Sequence, residues 1–274
     1  MEPIQACILG MIQGLTEFLP ISSSGHLVLF QHLFGLEGSQ LFFDVSVHVG
    51  TLVAVILFYR EDIGLILSAL MRFIVKKPFF RESENAASPD PHLRLVLLII
   101  VGSIPTAIIG LLFREMADAI FSSVLIVGFM LIITGIVLWG SRRLEFRQES
   151  PKNFSIKNAL TIGVVQGAAI LPGISRSGST IVTGLFLGLN RETAARYSFL
   201  LSIPAILGAE ILSFKDLSAQ EISINIPVLV GSVTACITGY LSLKFLLYVI
   251  RRGNLHTFAP YCWAVGILTL ILGI

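Results

Sequence analysis

The sequence predicts an all-α, polytopic membrane protein with six spanning helices, two re-entrant helical hairpins and an inverted-topology repeat. Three observations carry that expectation. The first is composition: hydrophobic types make up 54% of the 274 residues and charged types only 13%, against about 25% charged in an ordinary soluble domain. The mean hydropathy is +0.86. The second is a series of apolar runs near the roughly 20 residues that cross a bilayer core. The third is the uneven placement of lysine and arginine along the chain.

Taken in order, the chain opens on an apolar but broken stretch, Pro3–Phe34, interrupted by Pro20, Ser22, Ser23, Ser24, Gly25 and His26. Each half is too short to cross alone, the pattern of a re-entrant hairpin. The Met1–Gly10 segment lacks the basic start of a cleavable signal peptide and is expected to be mature structure. Spanning segments follow at Leu41–Tyr59, Leu93–Phe113 and Ala119–Trp139. A second broken stretch, Ile156–Leu189, is interrupted from Pro172 to Thr180. The last spans are Tyr197–Phe214, Ile226–Ile250 and Thr257–Ile274. The whole of 1–274 reads as one integral membrane domain.

Orientation follows from the basic residues, which collect on the cytoplasmic side. No Lys or Arg precedes Arg60. The segment 60–94 then carries Arg60, Arg72, Lys76, Lys77, Arg81 and Arg94, the segment 141–157 carries Arg142, Arg143, Arg147, Lys152 and Lys157, and Arg251 and Arg252 follow the fifth span. These three loops are expected to be cytoplasmic. The N-terminus, the links 114–118 and 215–225 and the C-terminus are expected outside. The two broken hairpins then enter from opposite sides.

An internal repeat agrees with that. Gly10-Met-Ile-Gln13-Gly14 recurs as Gly163-Val-Val-Gln166-Gly167, and Ser22, Ser24 and Gly25 recur as Ser175, Ser177 and Gly178, all at an offset of 153. The repeats run over approximately 1–140 and 154–274. Interrupted segments in corresponding positions of two oppositely oriented halves point to a site near the membrane midplane.

Chemistry-bearing residues gather at the two breaks. Gln13 and Glu17 are four apart and share a helix face. A carboxylate in an apolar segment must pair, bind a cation or line a wet cavity. Ser22, Ser23, Ser24 and His26 follow Pro20. In the second break, Ser175, Arg176, Ser177 and Thr180 surround a helix start, where amide N–H groups and the helix dipole favour an anion. Arg176 can fork two phosphate oxygens. Phosphoryl transfer needs charge neutralisation, a placed nucleophile and a proton acceptor. Arg176 supplies the first, Ser23 or a water the second and His26 the third. Glu17 and Gln13 could hold a divalent ion that bridges diphosphate oxygens. Ser22, Ser24, Ser175, Ser177 and Thr180 are expected to contact substrate.

The stretch Gln13-x-x-x-Glu17-Phe-Leu-Pro-x-Ser-Ser-x-Gly-His26, with Pro172-Gly-x-Ser-Arg-Ser-x-x-Thr180, resembles the signature motifs of the bacterial undecaprenyl-pyrophosphate phosphatase family, the bacitracin-resistance proteins. The resemblance covers nearly the whole chain. It implies hydrolysis of undecaprenyl pyrophosphate to the monophosphate lipid carrier, aided by Mg²⁺ or Ca²⁺, in the bacterial inner membrane; the Lys/Arg-free stretch 1–59 places the entrance of the site on the outer, periplasmic face. Glu17, Ser23, His26 and Arg176 match positions proposed as functional there. Gln13 stands where many relatives carry Glu.

Other readings weigh less. Inverted repeats with broken helices are also a transporter architecture, so a lipid flippase or secondary transporter is the main alternative, but a transporter needs no nucleophile and base together. The type-2 phosphatidic-acid phosphatases share Ser24-Gly25-His26 but need a histidine soon after Ser-Arg, and here none follows Arg176 before His256. A net charge of +2 gives no reason to expect a nucleic-acid partner. The partners expected are the lipid substrate and the bilayer; a homodimer is left open. Cys7, Cys236 and Cys262 have no metal or disulfide spacing.

Overall fold

The computed structural model describes residues 1–36, 40–75, 90–114, 123–144, 154–217 and 224–273. The described residues form helices and their connections: α1 Pro3–Phe18, α2 Ser23–Leu33, α3 Leu41–Phe58, α4 Arg60–Val75, α5 Pro91–Phe113, α6 Val124–Gly140, α7 Ile156–Ala168, α8 Arg176–Phe186, α9 Arg191–Asp216, α10 Ile226–Arg251 and α11 Ala259–Leu272. Short 3₁₀ turns, Ser141–Leu144 and Leu255–Phe258, follow α6 and precede α11. Among the described residues, six helices are long and apolar enough to cross a membrane: α3, α5, α6, α9, α10 and α11, with the two 3₁₀ turns extending α6 and α11. Their outward faces are apolar. Helix α5 buries only Leu98 and Gly102, and Ile100, Ile104, Ile108 and Leu112 are exposed, a surface that suits acyl chains.

The spans lie where the hydropathy places them, with shifted ends. Helix α9 starts at Arg191, six residues before the expected Tyr197. Asn190 caps it by accepting the Thr193 N–H at 2.8 Å, and its first turns carry Arg191, Glu192 and Arg196, charges that a hydropathy count excludes. Helix α6 begins at Val124, where Ser123 caps it; the expected start at Ala119 lies outside the described residues. Much of the segment 60–94, expected to be loop, is helical: α4 starts directly after Tyr59 and carries Leu65, Leu67, Met71, Ile74 and Val75 exposed. Lys76, Lys77, Arg81, Arg147 and Lys152 lie outside the described residues, as do most of the links 114–118 and 215–225.

The packing is reciprocal. Helix α1 lies along α10, and α7 lies along α5. Helix α3 also packs on α10 as α9 packs on α5, and α6 packs on α11. Glycine permits the two closest crossings. A Cβ on Gly10 would sit 2.3 Å from the Gly231 carbonyl oxygen, and one on Gly163 would sit 2.0 Å from that of Gly102. Small residues four apart let helix backbones approach in this way where lipid offers no hydrophobic drive for association.

Gly163→Ala is therefore expected to destabilise the protein by roughly 1–3 kcal/mol, the usual range for overpacking. Gly208 has nothing within 4 Å of its Cβ position, so Gly208→Ala should leave the melting temperature in detergent unchanged or slightly higher. Equal melting temperatures for the two variants would show that the α5–α7 contact does not need glycine.

Candidate active site

The two chain breaks meet. Helix α1 ends before Pro20, and α2 begins at Ser23 with Ser22 as its cap. Ser22 adopts φ +70°, the one non-glycine residue with positive φ among those described, a conformation that costs about 1–3 kcal/mol and persists only where neighbours enforce it. Its Oγ accepts the Gly173 N–H at 3.1 Å from the other break and the Gly25 N–H at 3.4 Å. On the far side, Ser175 caps α8 by accepting the Gly178 N–H at 3.1 Å. Thr134 of α6 donates to the Gly173 carbonyl at 2.8 Å and accepts the Ser175 N–H at 3.0 Å. The tight turn at Gly173 (φ +98°) leaves no room for a side chain, since a Cβ would lie 2.5 Å from the Val127 carbonyl oxygen.

This scaffold brings Glu17, Ser23 and Arg176 together. The Glu17 side chain is buried. Its Oε1 accepts from Arg176 Nη2 across 159 residues of sequence. Its Oε2 accepts from Ser23 Oγ at 2.5 Å and from Gln13 Nε2 at 3.0 Å. A buried carboxylate thus has one cationic and two neutral donors, the arrangement that makes an ionised acid tolerable away from water. Gln13 is fully buried and uses its amide N–H on Glu17, while its Oε1 has no partner. Turning the amide round would set oxygen against the Glu17 carboxylate, so the free oxygen is a consequence of that pairing.

The other expected residues fall elsewhere. Both nitrogens of the buried His26 are engaged: Nδ1 donates to the Ser22 carbonyl at 2.7 Å, and Nε2 lies 2.8 Å from the Tyr261 hydroxyl. The two rings stack at 5.7 Å with an interplanar angle of 7°. The hydroxyl of Ser23 is hydrogen-bonded to Glu17, while His26, expected as the proton acceptor, has its two ring nitrogens on Ser22 and Tyr261. Ser22 and Ser175 are helix caps. Ser177 bonds Ser175 at 3.2 Å and the Leu19 carbonyl at 3.4 Å. Thr180 donates to the Arg176 carbonyl at 2.8 Å and also contacts Ser198. These hydroxyls build the turns. Ser24, half-buried, touches Ser22 at 3.4 Å.

Two residues that sequence reasoning passed over border the site. His48 of α3 places Nε2 3.9 Å from Glu17 Oε2. Its signal was present, since an ionisable residue inside an apolar span is itself a functional flag. Tyr261 is the other; nothing local marks it.

A protein-family model described as bacitracin resistance protein BacA matches residues 6–268. The chain belongs to that family. Among curated relatives, an undecaprenyl-diphosphatase of Desulfosudis oleivorans is 50% identical over 273 residues, covering 100% of this chain and 99% of the relative. One from Desulforapulum autotrophicum is 49% identical with the same coverage, and one from Methanosphaera stadtmanae is 47% identical over 279 residues. With its six apolar helices, this BacA-family chain is a multi-pass membrane protein. Cys7, Cys236 and Cys262 are free thiols.

Proposed function

We propose that the chain hydrolyses undecaprenyl pyrophosphate to undecaprenyl phosphate and inorganic phosphate; its full-length relatives are named undecaprenyl-diphosphatases. The observation that carries the proposal is Glu17, with Ser23 Oγ on one carboxylate oxygen and Arg176 on the other. Ser23 attacks the terminal phosphorus while Glu17 takes its proton. The bond to the bridging oxygen breaks and the lipid monophosphate leaves. Water then cleaves the phosphoserine, releasing phosphate and restoring the Ser23 hydroxyl. Arg176 has five N–H donors, so it keeps some for phosphate oxygens while one serves Glu17. His26 holds the Ser22 turn through the carbonyl it binds, and Tyr261 fixes the ring.

A divalent ion, Mg²⁺ or Ca²⁺, is proposed to assist. Among the described residues no three His, Cys, Asp or Glu side chains form a cage. One carboxylate beside an unpartnered buried amide oxygen does suit a hard cation that completes its shell with substrate phosphates. Glu17 and Gln13 would hold it. When bound, the ion neutralises diphosphate charge.

The reciprocal packing of α1 on α10 and α7 on α5 supports reading 1–140 and 154–274 as inverted halves with the breaks re-entrant near the midplane. In the bacterial inner membrane, with basic loops inside, the site would open to the periplasmic face. Arg114 pairs with Asp216 at 2.5 Å at one end of α5 and α9, and that end should be external. A cysteine at Asp216 should react with an impermeant thiol reagent on intact spheroplasts, and one at Arg143 only after lysis. The reverse labelling would invert the topology.

Phosphate release from undecaprenyl pyrophosphate by purified protein, with and without EDTA, tests the activity. Movement of labelled lipid across vesicles with no phosphate release would favour the transporter reading instead.

A further inference from the structure

We infer that His48 is a ligand of the divalent cation, completing with Glu17 and Gln13 a mixed nitrogen and oxygen site; this rests on the metal-assisted phosphatase reading above. Three observations place it there. First, His48 Nδ1 lies 2.8 Å from the Asp44 carbonyl oxygen. A carbonyl only accepts, so Nδ1 carries the hydrogen, and in the neutral form of the ring the unshared pair is on Nε2. Metal-binding histidines are oriented in this way, by a backbone carbonyl on the other nitrogen.

Second, Nε2 faces Glu17 Oε2 at 3.9 Å. That is too long for a hydrogen bond. It is short enough for one ion to touch both atoms, since first-row cations bond nitrogen and carboxylate oxygen at roughly 2.0–2.2 Å. Third, Gln13, which shares the Glu17 carboxylate with Ser23, is fully buried with its Oε1 unpartnered. An unshared pair, a carboxylate oxygen and an orphaned amide oxygen thus come from α1 and α3, next to the hydroxyl that must lose its proton.

The surroundings are anionic. Glu210 from α9 and Asp44 from α3 itself also act electrostatically on His48, and Gln31 of α2 donates to Asp44 Oδ1 at 2.6 Å. Arg176 is the cation facing Glu17 on its other oxygen. The competing arrangement is a protonated His48 in a plain ion pair with Glu17, which has no pair to offer a metal. An imidazole ligand also shifts preference from calcium toward first-row ions such as Fe²⁺ and Zn²⁺, and Mn²⁺ is a first-row ion whose unpaired electrons report a bound nitrogen.

Mn²⁺ added to the purified protein separates the two. Pulsed electron paramagnetic resonance should show nitrogen-14 modulation from one directly bound imidazole, and ¹⁵N-histidine labelling of the wild-type chain should convert that signal. His48→Gln should abolish the modulation and weaken Mn²⁺ binding by roughly tenfold or more, the scale on which even outer partners of a metal site are felt. His26→Gln should retain it. If His48→Gln does not fold, judged by its helical circular dichroism, His48→Asn takes its place. No Mn²⁺ binding, binding without imidazole modulation, or modulation that survives loss of His48 would overturn the assignment. Phosphate release by the same wild-type preparation shows whether the phosphatase reading stands independently.

Discussion

Ser23→Ala is expected to lower turnover by at least about 10³-fold, roughly 4 kcal/mol of barrier. The expectation rests on the 2.5 Å bond from Ser23 Oγ to Glu17 Oε2, which on the proposed mechanism sets the nucleophile against its proton acceptor before any substrate chemistry begins. A hydroxyl held by the turn incurs less positioning entropy than a water near a lipid chain. Were Ser23 only a hydrogen-bond donor to phosphate, its removal would cost about 1.5–3 kcal/mol, a loss nearer one or two orders of magnitude. Rapid quench with terminally ³²P-labelled substrate addresses the same point directly. Absence of labelled enzyme in the first turnover would leave water as the nucleophile.

Arg176→Lys is expected to reduce kcat/KM by about 10²-fold or more while the protein still folds and inserts. Lysine keeps the charge but not the planar fork that serves two acceptors at once. Here the guanidinium has two tasks: it balances the buried Glu17 carboxylate and must still offer donors to a phosphate. A shorter ammonium that stays with Glu17 abandons the substrate, and one that reaches the substrate leaves Glu17 uncompensated, at a cost on the order of 3–5 kcal/mol for a buried pair. Steady-state kinetics on folded protein, with elution volume and helical signal as controls, measures the loss. Near-normal kcat/KM would mean that a point charge suffices.

The spans were legible because apolar length is a local property. What blurred their ends was also local: α9 gains its first turns from the Asn190 cap despite Arg191 and Arg196, and α4 continues from α3 through Tyr59 with too little apolar length to register as a span. The convergence of Glu17 and Arg176 was legible for another reason, since the repeat placed two polar interruptions in register. Contacts with no partner in the repeat were not. Nothing about Tyr261 in sequence announces that its hydroxyl meets His26, and the hydrogen bond of Ser23 to Glu17 depends on side-chain directions that only three dimensions fix. The serines of both breaks illustrate the same limit. Their composition suggested phosphate contacts, and it did not show that Ser22 and Ser175 also accept backbone N–H groups at helix starts.

The exchange of α1 onto α10 also bears on how the chain is made. Gly10 meets Gly231, so α1 leaves the ribosome with its docking partner still to be synthesised more than two hundred residues later. Long loop closures of this kind slow folding, and α1 carries Gln13 and Glu17, groups that lipid tolerates poorly without partners. Arg176, the counter-charge for Glu17, also arrives only with the second half. During biogenesis α1 therefore cannot seat on α10 until Ile226–Arg251 has been made, so truncated chains ending before Ile226 should expose α1 to proteolysis even when their own spans are inserted.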